Sequence, residues 1–309
     1  MRERQGLWMR WSERVVGWFT AGPAALVARI ACLLGLLAPA VSLSPAQDAR
    51  QGVTEIRQGG YVEKVDPKVD YRDRLVRVPP RSPQDSLAAF HLVPGLRLEQ
   101  VAAEPLVCSC VDLAFDENGR LYVAEMIPYA ENNSAAFGSP KGRVVMLEDF
   151  DGDGKFDRST VYAEGLVWPT GLACFDGGVF VAAAPDLWYF KDTRRDGKAD
   201  VREIVLTGFS TANPAAVPNS LRWRPDNRLH GMCSQSGGNL VAVRWAAGAP
   251  GRPATPISAR GRDWSIHPRT GQLRLEGGGS QYGMTYDEWG RKFESSNSAP
   301  IEMVMYEDR

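Results

Sequence analysis

The 309-residue sequence predicts an all-β fold, a β-propeller of four-stranded blades of which about four starts are present. Three observations carry that expectation. First, four stretches are variants of one strand–turn–strand pattern: LAFDENGRLYV (113–123), LACFDGGVFV (172–181), LRWRPDNRLHG (221–231) and MTYDEWGRKFE (284–294). Leu113, Leu172, Leu221 and Met284 open the copies, and an aromatic follows two residues later in three of them (Phe115, Trp223, Tyr286). Gly119, Gly177–Gly178, Asn227 or Gly290 occupies the turn, where a positive φ favours glycine and asparagine. Second, the copies start 59, 49 and 63 residues apart, a spacing that suits a four-stranded blade with variable loops better than a helical repeat. Third, 31 Gly and 21 Pro in a chain that is 44% hydrophobic describe a turn-rich chain with residues enough for a large core. A β-sandwich with similar hairpins is the alternative, because period-2 strands and glycine turns are common to both.

The elements follow in order along the chain. Residues 1–46 read as a secretory signal: Arg2, Arg4, Arg10 and Arg14 precede an apolar run from Ile30 to Leu43, and Ser44-Pro45-Ala46 sets small residues before a cut ahead of Gln47. An uncleaved membrane anchor over Trp18–Leu43 is the alternative, weakened by Arg29, Pro23 and Pro39. The expected location is therefore outside the cytoplasm, in the periplasm or cell envelope. Residues 47–90 are polar and interrupted and read as an extended arm ending in a short helix, with Ser82 as N-cap, Pro83 at the first helical position and Asp85 in the first turn. LRLEQVAAEP (96–105) is expected to be a strand entering the propeller, which spans 91–309.

Second hairpins follow the first two copies: RVVMLED (143–149) with STVYAEG (159–165), and LWYFKD (187–192) with REIVLTG (202–208). Two hairpins per unit give the four strands of a blade. The third unit is interrupted by a loop at 246–256 and resumes at WSIHP (264–268) and GQLRLEGG (271–278). The fourth reaches IEMVMYE (301–307), so the chain is expected to form the front part of a larger ring.

The sharpest local motif is DFDGDGKFD, whose Asp149, Asp151, Asp153, Lys155 and Asp157 form the candidate metal set. Oxygen ligands at alternate positions and a glycine that lets the loop reverse suit calcium, although Thr160 stands where an EF-hand has its closing glutamate. The pattern returns 43 residues later as Asp192, Asp196, Gly197 and Asp200, with Arg194 in place of Asp151. A guanidinium there can pair with the acids, so this loop reads as an ion-paired relic.

Three histidines are present. His91 and His267 read as structural or surface residues, and His230, near Arg222, Arg228 and Asn219, is the one placed to act as a general base. Its plain alternative is a strand residue replacing Tyr122 of the first copy. No G-x-S-x-G or H-E-x-x-H motif supports hydrolysis. The segment 277–298 combines glycines with Gln281, Tyr282, Asn297 and Ser298, which could line a central channel. Cys108 and Cys110 fall in an expected strand on one face, Cys174 replaces the expected core residue Phe115, and the cysteines read as buried free thiols, with a Cys174–Cys233 bridge as the alternative. The first 46 residues hold five Arg against two Glu, leaving the remainder with a net charge of −4. That excludes a basic field for nucleic acid.

Five ordered motifs, LRLEQVAAEPLV, FDENGRLYVAEM, EDFDGDGKFDRSTVYAEGLVWPTGL, LTGFSTANPAAVPNSLRW and SQYGMTYDEWGRKFESSNS, resemble the N-terminal propeller of the large exported planctomycete proteins named membrane-bound dehydrogenases. That propeller is distantly similar to quinoprotein glucose and sorbosone dehydrogenases, and the resemblance covers about residues 70–309. It implies six or more blades, commonly followed by helical repeats and a c-type cytochrome domain as electron acceptor. It also implies oxidation of a sugar or polyol-like small molecule with pyrroloquinoline quinone and calcium, His230 as base, Arg228 as anchor, and Asn219, Arg222 and Gln281 as cofactor-binding residues. The competing expectation is a non-enzymatic, calcium-braced propeller that binds glycans or proteins at the cell surface.

Overall fold

A computed structural model of the chain describes residues 54–58, 61–65, 79–127, 129, 139–243 and 255–305. The leader (1–46) and most of the 246–256 loop lie outside the described residues, as do the last four residues. Within the expected arm, β1 (Thr54–Gln58) and β2 (Tyr61–Val65) pair as an antiparallel hairpin, in a unit separate from the one that begins at Arg81. The expected helix forms as α1 (Pro83–Ala88). Its cap is reciprocal: the Asp85 N–H donates to Ser82 Oγ at 3.1 Å, and that hydroxyl donates to the Asp85 carboxylate at 2.7 Å.

The remainder is a β-propeller arrangement of antiparallel sheets. Blade 1 contains β3 (Cys110–Phe115), β4 (Leu121–Glu125), β5 (Gly142–Glu148) and β6 (Arg158–Leu166), paired in that order. Blade 2 contains β7 (Pro169–Phe175), β8 (Gly178–Ala183), β9 (Asp186–Lys191) and β10 (Val201–Phe209). Blade 3 opens with β11 (Asn219–Trp223) and β12 (Leu229–Met232). The chain then leaves it: β13 (Gly238–Ala242) and β14 (Ile257–Ser258) extend the outer edge of blade 2 beyond β10. It returns as β15 (Asp263–Ile266) and β16 (Leu273–Glu276) to complete blade 3. Blade 4 shows β17 (Met284–Tyr286), β18 (Lys292–Glu294) and β19 (Glu302–Val304).

Each of the four repeated motifs is the β-hairpin made by a blade's first two strands. Their turns hold the left-handed residues the sequence pattern asks for: Gly119 (φ 78°), Asp176 and Gly177 (51° and 69°), Asn227 (59°) and Gly290 (78°). Alternation along the strands then aims apolar side chains at neighbouring blades. Tyr122, Val144, Met146, Leu172, Val181 and Phe190 fill the space between blades 1 and 2, and Phe180, Leu187, Leu206, Leu221, Trp264 and Ile266 that between blades 2 and 3. Each such side chain contributes about 1.5–3 kcal/mol by leaving water.

Two expectations are corrected. Residues 96–105 form no strand, because no sheet edge pairs with them; Val101 O accepts one bond from Phe156 N–H at 2.9 Å, and Ala102 packs under the small cluster around Leu147. Phe115 does not pack into the core between the described blades: with Val111 and Leu113 it lies on the face of β3 turned away from blade 2, and it is 59% exposed. Ala114, on the opposite face, packs toward blade 2.

Candidate functional site

The first strand of each blade lies beside the first strand of the next, β3 with β7, β7 with β11 and β11 with β17. Polar residues at the starts of these inner strands therefore meet although they are far apart in sequence. Leu172 N–H donates to Asp112 Oδ2 at 2.8 Å, joining blades 1 and 2. The Thr170 hydroxyl donates to Pro218 O at 2.5 Å, joining blade 2 to the entry of blade 3. The Tyr282 hydroxyl reaches across to Thr170 O at 3.2 Å. Asn219 Nδ2 donates to Val217 O at 2.9 Å and to Gln281 O at 3.3 Å, while its Oδ1 accepts from the Ser220 hydroxyl at 2.7 Å. Arg222 points its Nη1 at Leu221 O, 2.8 Å away, and its charge is felt by both Asp112 and Tyr282.

These residues form a polar cluster at the propeller axis. Burial pushes the Asp112 carboxyl above its usual range, opposed by the Leu172 N–H and by Arg222. Burial, with the Asp112 charge adding to it, pushes the Tyr282 phenol up to about 12, so it remains a hydrogen-bond donor at neutral pH. Asn219 is fully buried, whereas Tyr282 is 37% exposed and Asp112 and Arg222 are half-buried. The cluster thus has a fixed base and an accessible top that offers a carboxylate, a guanidinium, a phenol and an amide, the donor and acceptor set that hydroxyl-rich ligands use.

The expected site residues separate into two groups. Asn219, Arg222 and Gln281 sit at or beside this axial cluster. Arg228 and His230 do not join it: Arg228 lies at the turn, and His230, although paired in register with Arg222, turns its ring to Asp226 and Tyr286. Arg228 is buried and fully engaged: Nε donates to Ser265 Oγ at 2.8 Å, and Nη2 donates to Ser265 O at 3.0 Å and Gln272 O at 2.6 Å. His230 is 2% exposed, with Nε2 2.9 Å from Asp226 Oδ2 and its ring edge-on to Tyr286 at 5.8 Å. Burial holds the imidazole below its ordinary value, partly offset by Asp226, so it is neutral at pH 7. Pyrroloquinoline quinone carries three carboxylates. Among the described residues the axial cluster offers it one guanidinium, Arg222, beside the Asp112 carboxylate, and this set does not fit the quinone.

Sequence reasoning missed Thr170 and, of more consequence, Asp112. Its equivalents immediately before the copy-opening residue are Gly171, Ser220 and Gly283; an acid among small residues was the available signal.

The candidate calcium loop is preorganised. Carboxylate oxygens of Asp149, Asp151 and Asp153 lie within 4.8 Å of one another. The backbone holds them there: Gly152 and Gly154 N–H donate to Asp149 at 2.7 and 3.0 Å, Asp153 N–H to Asp151 at 3.1 Å, Lys155 N–H to Asp153 at 2.7 Å, and Phe150 N–H to Asp157 at 2.7 Å. Gly152 (φ 74°) and Gly154 (φ 87°) supply the reversal. The three clustered carboxylates fit calcium, whereas Asp157, expected as a further ligand, is outside the cluster and accepts the Phe150 N–H, and Lys155 could add only its backbone carbonyl, since an ammonium cannot coordinate. The second loop repeats the scaffold, with Gly197 N–H donating to Asp192 at 2.8 Å and Thr193 N–H to Asp200 at 2.7 Å. There Arg194 Nε stands 3.5 Å from Asp196 and 3.8 Å from Asp200, the ion pairing expected of it.

The four described cysteines are free. Cys110 is exposed and Cys108 lies before β3, separated from it by Ser109 at φ 47°, so the two do not share a strand face. Cys108 is held by Glu125, which accepts its N–H at 2.8 Å and also pairs with Arg143 at 2.5 Å. No helix among the described residues is long and apolar enough to cross a membrane.

Comparisons with solved structures give weak likenesses. The PQQ domain of pyranose dehydrogenase from Coprinopsis cinerea, in its holo form, is 16% identical with a TM-score of 0.38, covering 66% of this chain and 50% of that one. A carbohydrate-active enzyme of family AA12 from Trichoderma reesei, in a calcium structure, is 15% identical with a TM-score of 0.34, covering 51% and 45%. A gluconolactonase from Xanthomonas campestris is 18% identical with a TM-score of 0.37, covering 67% and 61%. The chain spans about half the length of the first two, and the fold assignment rests on the chain's own sheets. No curated protein matches the sequence at a significant level. Residues 82–309, which hold every blade and both acidic loops, match a family at the sequence level, and on that match the chain belongs to DUF7133, described as a domain of unknown function.

Proposed function

We propose that this chain is the sugar- or polyol-binding propeller of an exported dehydrogenase-type protein, with its ligand seated on the axial cluster. One observation carries the reading: four inner strands bring Asp112, Thr170, Asn219, Arg222, Gln281 and Tyr282 to one polar patch with an accessible top. Asp112 would accept from ligand hydroxyls, Arg222 and Tyr282 would donate, and the bonds beneath them would hold the set in place. Calcium would brace the 149–157 loop at the outer edge of blade 1, remote from any chemistry. The dehydrogenase class, the c-type cytochrome acceptor, the periplasmic or cell-envelope location and a possible leader anchor come from the motif resemblance to planctomycete membrane-bound dehydrogenases.

A second reading, a non-enzymatic calcium-braced propeller that holds glycans or proteins at the cell surface, is favoured by the position of His230, which lies away from the axis against Asp226. Calorimetric titration of the full chain with a panel of neutral sugars and polyols tests the shared part. Saturable binding that weakens about tenfold or more in Asp112→Asn supports the axial site, on the scale of a lost hydrogen bond to a charged group; absence of binding across the panel sinks it. Dye reduction by the full chain over the same panel then separates the readings, since binding without turnover selects the second.

A further inference from the structure

In three of the four repeated hairpins the turn aspartate pairs with a cation, and blade 3 breaks the rule. Asp116 pairs with Arg120 at 2.7 Å in blade 1, Asp176 with Lys191 at 3.3 Å in blade 2, and Asp287 with Arg291 at 2.6 Å in blade 4. The positions of Asp116 and Arg120 in blade 3 are Arg224 and Arg228. Arg228 turns inward onto Ser265 and Gln272. Arg224 is left with one side-chain hydrogen bond, Nη2 to Gly290 O at 3.1 Å, and a stacking contact over the Tyr286 ring at 4.5 Å. Its Nε is buried without a hydrogen-bond partner, and among the described residues no carboxylate pairs with it.

Arg224 lines a cleft of about 270 Å³ between blades 3 and 4, together with Glu276, Tyr286, Trp289, Arg291 and Lys292. The other cations there are paired. Arg291 is paired with Asp287, Lys292 with Asp263 and Glu294, and Glu276 accepts the Ser265 hydroxyl. Arg224 is therefore the cationic side chain of the cleft without a direct ion pair among the described residues, and Glu276 keeps its own negative charge beside it. Beside it Trp289 is 71% exposed, with Arg291 over one face of the indole at 4.7 Å.

We infer that this cleft binds the carboxylate of a single acidic sugar, a hexuronate, with Arg224 as anion anchor and Trp289 as stacking platform. The Arg224 Nε is buried, so its outer edge at Nη1 and Nη2, of which Nη2 already meets Gly290 O, is what can donate to a ligand carboxylate. An exposed indole presents a flat apolar surface to the C–H face of a pyranose, while Glu276 and the backbone around Gly277 offer acceptors for its hydroxyls. The volume lies below that of pockets for drug-sized ligands, which limits the occupant to about one ring. The cleft is at the turn end of the inner strands, opposite the axial cluster, and the inference is independent of the function proposed there.

Titration of the full chain with sodium glucuronate, glucose and sodium acetate tests it. Glucuronate is expected to bind at least about tenfold more tightly than either, because glucose lacks the charge and acetate lacks the ring. Arg224→Gln is expected to lose that preference, and Trp289→Ala, which alters an exposed side chain outside the core, to weaken glucuronate by a similar factor at an unchanged unfolding midpoint. Equal affinity for glucuronate and glucose, equal affinity for glucuronate and acetate, no saturable glucuronate binding, or indifference to both substitutions overturns the inference. Should Arg224→Gln fail to fold, Trp289→Ala decides.

Discussion

Blade 2 and the junction between blades 3 and 4 are built from the same hairpin, yet they bury opposite kinds of side chain. Blade 2 hides Phe180, Leu187, Phe190, Val205 and Leu206, and its faces meet apolar neighbours on both sides. The 3–4 junction buries Arg228, His230, Asp263, Lys292 and Glu294. Lys292 sits between two acids there, bonded to Asp263 and, at 2.7 Å, to Glu294, with Gly277 O accepting at 2.8 Å. Gly278 closes over this cluster at φ 128°, and a Cβ on it would fall 2.1 Å from Glu294 Oε1. The difference teaches that one repeat can serve two ends. An apolar interface supplies stability that is indifferent to pH, whereas a buried ionic one is stable only while every charge keeps its partner.

Three measurements break or sharpen that contrast. The largest effect is expected from Phe180→Ala, which empties a fully buried site in the blade 2 core. Unfolding free energy should fall by about 4 kcal/mol, by the same amount at pH 5 and pH 8; a pH-dependent loss would contradict the apolar description of blade 2.

Next is Lys292→Met, which keeps side-chain length but leaves Asp263 and Glu294 facing each other without a cation. A loss of about 3 kcal/mol is expected at pH 8, shrinking at pH 5 as the acids can take up protons. A loss independent of pH would show that Lys292 acts through packing alone.

The third measurement reads a slope. Burial, reinforced by Glu294 and opposed by Lys292, raises the Asp263 carboxyl from 3.8 to about 8. Because the folded value is raised, this group's contribution is complete below pH 3.8 and is lost as pH climbs to 8. Across that window stability falls as pH rises. Asp263→Asn should flatten that part of the stability profile, and an unchanged profile would place the proton elsewhere.

How much was legible in the sequence depended on how local each feature is. The helix at Pro83–Ala88, the four hairpins, the second hairpins of blades 1 and 2, and the pairing of Arg194 in the second acidic loop follow from contacts within about a dozen residues, and each formed where the pattern put it. The expected strand at 96–105 had the right composition but no edge to pair with. Phe115 and Cys110 read as interior residues because strand alternation shows that there are two faces without showing which is covered. The departure of β13 and β14 to blade 2 was invisible for the same reason, since GNLVA pairs as well on either edge.

By itself, the sequence determined the unit: strand lengths, turn positions, glycines at positive φ and the acidic loops, all fixed by short-range sterics and hydrogen bonding. Tertiary structure alone decided the sites. Tyr282 meets Thr170 across 112 residues and Asn219 meets Gln281 across 62, while His230, although paired in register with Arg222, turns its ring to Asp226 and Tyr286. The physical reason is that packing blades around an axis brings equivalent strand ends together.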